Sequence, residues 1–86
     1  MELVHNHPGL SYFSMNDINV FMTYPTIKTM TIVTNQGKTW YINKLDNFNF
    51  VEAKSVMKDI VEKYKDKDVA IEKFLKKGYS FGIERN

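Results

Sequence analysis

The sequence predicts a small α+β domain, a little β-sheet of an edge strand and a hairpin packed with three helices. Three observations predict it. Residues 27–43 carry two runs rich in β-branched and aromatic side chains, separated by Asn35-Gln36-Gly37-Lys38, which is the pattern of a hairpin. Residues 50–64 place Phe50, Ala53, Met57, Ile60, Val61 and Tyr64 at helical spacing. Met1–His7 reads as a short strand closed by Pro8-Gly9, because proline cannot donate to a ladder and glycine relaxes the backbone.

After the loop Pro8–Phe13, Ser14 is a good helix N-cap. Asp17 falls in the first turn, where a carboxylate suits the positive end of the helix, and Ser14-x-x-Asp17 is a capping-box variant. Ile18, Phe21 and Met22 share one face of this helix. Pro25 disfavours helical geometry at Tyr24, so the helix stops there after about two turns and must lean on a sheet. From Ile27 to Thr34 the residues alternate, Met30 and Ile32 on one side and Thr29 and Thr31 on the other. Gly37 supplies a positive φ for the turn, and Thr39–Asn43 returns as the second strand.

Leu45–Asn49 connects sheet to helix without the composition of a flexible linker, since Leu45 and Phe48 interrupt its polarity. The helix from Phe50 to about Tyr64 is broken by Asp66-Lys67-Asp68. Asp68 is the expected N-cap of a further helix lined by Ile71, Phe74 and Leu75, and Gly78 its expected stop. Tyr79–Ile83 suits a short strand or an ordered extension equally well. There is no internal repeat and no low-complexity segment.

At 86 residues the chain is one domain, able to bury roughly 60–70% of its unfolded surface without disulfides. Hydrophobic residues at 43% and aromatic residues at 14% suit a globular core. Twelve basic and ten acidic side chains leave a formal charge of +2, and no strong field directs the chain to nucleic acid or to an anionic membrane. The lysines of residues 54–77 are interleaved with Glu52, Asp59, Glu62, Asp66, Asp68 and Glu72, a solvated helical face and not a nucleic-acid stripe. The absence of cysteine excludes a thiolate zinc site. No apolar run reaches the roughly 20 residues of a membrane span, and no signal peptide opens the chain, so a cytoplasmic protein is expected.

The chemistry lies in His5-Asn6-His7-Pro8-Gly9-Leu10-Ser11-Tyr12-Phe13-Ser14-Met15-Asn16-Asp17, which holds both histidines of the protein. In a strand, His5 and His7 emerge on one face with roots about 6.6 Å apart, close enough to converge on one ion. Zinc takes imidazole nitrogen and carboxylate oxygen, and a catalytic zinc has three protein ligands and an open position. His5, His7 and Asp17 make such a set. Ser14 is in any case a cap. Tyr12 and Phe13 either frame a cleft beside the metal or seal the loop. Of Trp40 and Tyr41, at least one must face a core.

His-x-His-Pro, a short loop and Ser-x-x-Asp together resemble the signature of the JAMM metalloproteases, also called JAB/MPN domains. The spelling His-Asn-His-Pro with Phe13-Ser14 is most similar to the bacterial RadC-like and phage-associated members. The loop from Pro8 to Phe13 is one residue shorter than in many of them. The resemblance implies that His5, His7 and Asp17 bind one zinc ion, that Ser14 supports the reaction intermediate, and that the bond cleaved is a peptide or isopeptide bond in a peptide or protein substrate. The order strand, loop, helix, strand, turn, strand extends it from Leu3 to about Lys44.

The family places its general-base glutamate well upstream of the first histidine, where this chain has four residues. Glu2 has the wrong parity to replace it, three residues from His5 and so on the opposite sheet face. The expectation is a single JAMM-like domain over residues 1–86, cut short on its N-terminal side, with metal loop and sheet in 1–44 and C-terminal helices in 45–86. A missing N-terminal segment or a dimer mate then supplies the carboxylate. The competing expectation is a module without turnover that keeps the fold and binds a partner, or a second copy, through its sheet edge or its C-terminal helices.

Overall fold

A computed structural model describes residues 2–7 and 12–86, the side chains of residues 5–7 lying outside that description. The chain forms a four-stranded mixed sheet and three helices. Strand β1 (Glu2–His7) runs parallel to β2 (Thr29–Thr34), and β2 and β3 (Thr39–Lys44) form the antiparallel hairpin. Strand β4 (Ile83–Arg85) closes the order β1-β2-β3-β4 by pairing antiparallel with β3. Of the tail Tyr79–Ile83, only Ile83 enters that strand, Tyr79–Phe81 lying in a 3₁₀ turn. Residues of the second half complete the sheet of the first, so one core serves both.

The parallel β1–β2 pair needs a crossover, which α1 (Met15–Thr23) provides. Its N-terminus carries the full capping box: the Ser14 hydroxyl accepts from the Asp17 amide at 3.1 Å, and the Ser14 amide donates to Asp17 Oδ2 at 2.9 Å. Its C-terminus is Tyr24, held extended at φ −97° and ψ 107° ahead of Pro25. Ile18, Phe21 and Met22 are buried on the face that meets Met30, Ile32 and Ile42 of the sheet. Ile27, expected within β2, is instead a buried residue of the turn before it, its amide bonded to the Tyr24 carbonyl. The hairpin turns through Asn35–Gly37: Thr34 and Lys38 pair through their backbones, and Gly37 has φ +79°, a three-residue loop with glycine at its left-handed position.

Helix α2 (Phe50–Lys63) is capped by Asn49, whose Oδ1 accepts from the Glu52 amide at 3.0 Å. Ala53, Met57 and Ile60 form its buried stripe. Phe50 and Val61 stay 42% and 46% exposed: Phe50 stands at the open end of the stripe, and Val61 is turned about 100° from Ile60. Helix α3 (Lys67–Lys76) begins one residue after Asp66, and Asp66, not Asp68, is its cap. Asp66 Oδ1 reaches the amides of Asp68 and Val69 at 2.9 and 3.2 Å, while Asp68 lies already in the first turn. Ala70, Ile71, Phe74 and Leu75 are buried.

Gly78 does not stop α3 through a left-handed turn. Lys77 is the C-cap, and Gly78 opens a short 3₁₀ turn, Gly78–Phe81. Glycine is required there because a Cβ would stand 2.5 Å from the Ile83 carbonyl oxygen. The left-handed residue is Gly82, at φ +89°, from which the chain enters β4. All three helices cover one sheet face. On the other, Val4 and Tyr41 are 57% and 38% exposed. No helix among the described residues is long and apolar enough to cross a membrane.

Candidate metal centre

Strand β1 ends at His7. The register sets His5 opposite Ile32 and His7 opposite Thr34 on β2. The side chains of His5 and His7, and all of Pro8–Ser11, lie outside the described residues. Of the three predicted ligands, Asp17 is therefore the one whose side chain is described. Among the described residues no three His, Cys, Asp or Glu side chains gather as a metal cluster.

Asp17 is 4% exposed, one of two buried polar residues among those described, and is held in place by the capping box. The structure brings Ser14 and Asp17 together directly, and it does so for a local reason: the box needs an acceptor side chain at each of its two positions. Ser14 is exposed, and its oxygen accepts from the Asp17 amide, which leaves the hydroxyl hydrogen to donate elsewhere. Carboxylate oxygen is one of the donors that zinc takes, and Asp17 is the described member of the expected set.

Glu2 takes the position its parity predicts. Its Oε2 accepts from the Thr31 hydroxyl at 3.1 Å, and Thr31 alternates with the buried Met30 and Ile32 along β2. The carboxylate thus lies on the open face of the sheet.

Beyond the loop, Phe13 is 1% exposed and Tyr12 half-buried, with the two rings edge-on at 4.9 Å. Tyr12 also stands edge-on to Trp40 at 5.1 Å, which settles Trp40 against the core and leaves Tyr41 outside. Both rings pack against the core. The Tyr12 hydroxyl accepts from Arg85 Nη1 at 3.3 Å, and Arg85 forks onto both Glu72 oxygens at 2.9 Å. Burial pushes the Tyr12 hydroxyl above its ordinary pKa, against the opposing influence of Arg85. The hydrogen bonds of Arg85 hold Glu72 below the ordinary carboxylate value. This fork ties β4 and α3 to Tyr12. Sequence spacing gave no sign of it, because Tyr12 and Arg85 are 73 positions apart.

Comparison with protein-family models, with curated proteins and with solved structures yields no match to this chain.

Proposed function

We propose that the chain is a zinc-dependent metallohydrolase domain of JAMM type, acting on a peptide or isopeptide bond. The observation that carries the reading is the Ser14–Asp17 capping box. It buries the carboxylate at the start of α1, directly behind the loop that leaves β1 at His7. The order β1, loop, α1, β2, turn, β3 agrees with the order expected from the motif. In this reading His5, His7 and Asp17 hold the ion. When bound, zinc lowers the pKa of a water ligand toward about 7 and polarises the scissile carbonyl. Ser14 donates its hydroxyl hydrogen to the oxyanion that develops on that carbonyl. Asp17 orients Ser14 by accepting from its amide, and Tyr12 and Phe13 pack against the core. Glu2 does not serve as the base, being committed to Thr31 on the open sheet face. In this reading a carboxylate of a further segment or of a partner chain takes that role.

The test is zinc content by elemental analysis after loading and desalting, for the wild type and for Asp17→Asn, which keeps an acceptor for the Ser14 amide. The proposal expects about one zinc per folded wild-type chain and a large loss in the variant. Equal zinc in both would refute the ligand assignment.

A second reading rests on β1, which lies at the sheet edge with β2 as its partner. An edge strand offers unpaired backbone groups to another chain, and in this reading the domain is a non-catalytic module that binds a partner or its own copy there. Retained zinc with no peptidase activity, together with loss of association on placing proline at Val4, would favour it.

A further inference from the structure

At the far end of α1 from Ser14 and Asp17, an open groove of about 490 Å³ lies between the helix end and the 45–50 connection. Its apolar walls include Met22, Pro25, Leu45, Phe48 and Phe50. Phe50 is 42% exposed, a large ring left facing solvent at the start of a helix. The wall is fixed rather than loose: the Leu45 amide donates to the Gly82 carbonyl at 2.8 Å, and the Asn49 amide donates to that of Phe81 at 3.0 Å. Gly82 packs so closely that a Cβ there would lie 2.4 Å from Phe48 Cα. A pocket of this size and composition is in the range that holds small molecules.

Three charges line the same groove: Lys28, Lys44 and Asp46. Two cations against one anion leave a surplus of one positive charge. Lys44 is held in place from several sides. Its Nζ donates to the Tyr24 carbonyl at 2.8 Å and stands 4.8 Å from the centre of the Phe21 ring and 5.2 Å from that of Phe48. An ammonium has three N–H donors, so the bond to Tyr24 leaves two. Burial first, and Lys28 second, lower the Lys44 pKa, so the group sits where a negative partner would be welcome.

We infer that this groove is a binding site for a small amphipathic monoanion, its carboxylate or equivalent head held by Lys44 and Lys28 and its apolar body laid along Leu45, Phe48 and Phe50. The charge surplus selects one negative charge, and Lys28 and Lys44 turn away a cationic amphiphile of the same shape. The site lies about 8–9 Å of helix from Asp17, by the rise of α1 from Asp17 to Met22 and Thr23, and does not depend on the metal reading.

The experiment is calorimetric titration of the full chain with laurate below its micellar concentration, with dodecyltrimethylammonium as the control of equal chain length and opposite charge. Saturable one-to-one binding of laurate is expected, with no comparable binding of the cation. Lys28→Gln, at an exposed residue, should weaken laurate by about two- to fivefold without disturbing the fold, the upper part of the range for one solvated charge pair. Lys44→Gln should weaken it at least as much, and Asp46→Asn should tighten it. The inference is overturned if laurate does not bind, if it binds no better than the cation, or if Lys28→Gln leaves its affinity unchanged. A concentration-dependent dimer dissolved by Phe50→Ser would seat a second copy in the groove and would equally overturn it.

Discussion

Replacing Gly82 by alanine should be strongly destabilising, and Gly37→Ala is its control. Both glycines have positive φ, +89° and +79°. Forcing alanine into that region costs about 1–2 kcal/mol at either position. They differ in surroundings. A Cβ at Gly37 meets nothing within 4 Å, whereas at Gly82 it would stand 2.4 Å from Phe48 Cα, 2.5 Å from Phe48 N and 2.8 Å from Asn47 C. These neighbours are backbone atoms, locked by the bonds between the 45–49 connection and residues 81–82, and they cannot rotate aside. Overpacking adds about 1–3 kcal/mol, for roughly 2–5 kcal/mol in all at Gly82. A domain of this size has a total stability of roughly 4–13 kcal/mol. Gly37→Ala should lower the melting temperature by about 4–16 °C and Gly82→Ala by considerably more, each kcal/mol shifting it by about 4–8 °C. Thermal unfolding followed by circular dichroism measures both. Equal shifts in the two variants would refute the close approach of Gly82 to Phe48.

Other perturbations separate further parts of the structure. Glu72 has a depressed pKa in the folded state, chiefly through its hydrogen bonds from Arg85. Its contribution is therefore present above the ordinary carboxylate pKa of about 4.5 and is lost as pH falls through and below that value. Glu72→Gln should flatten that part of the stability–pH curve, and an unchanged acid limb would contradict the fork. Phe74→Ala should cost about 3–5 kcal/mol, since the ring is fully buried and stacked on Phe81 at 4.9 Å; denaturant midpoints measure it. Ser14→Ala removes the cap and should cost about 0.5–2 kcal/mol while leaving zinc content unchanged. A loss of zinc in that variant would make Ser14 a ligand instead.

Much of the fold was legible in the sequence because local rules governed it. The Ser14 cap, the stop at Tyr24 ahead of Pro25 and the alternation of Met30 and Ile32 with threonines all reappear in the structure. Gly37 turns the hairpin as its position implied. Errors arose where two candidates lay close together or where the cause was distant. Asp66 and Asp68 are both good caps, and the choice depended on where the break after α2 released the chain. Gly78 carried a helix-stop signal, yet the need for glycine there comes from Ile83 in another element. The third pairing of the sheet was undecided for the same reason, since Ile83–Arg85 is too short to show alternation and is fixed by β3. At the candidate metal centre, Ser14 and Asp17 were readable because three residues of helix bring them together. The Arg85–Glu72–Tyr12 fork was not, because it joins three elements without any local pattern.

The metal reading rests on His5, His7 and Asp17 sharing one ion, and X-ray absorption at the zinc K-edge of the loaded protein addresses that most directly. The account predicts a four-coordinate site with two imidazole nitrogens at about 2.0–2.1 Å and carboxylate oxygen at about 2.0–2.2 Å, the imidazole scattering reduced in His5→Ala and in His7→Ala. An all-oxygen shell with no imidazole scattering, or a spectrum unaltered by either substitution, would contradict it.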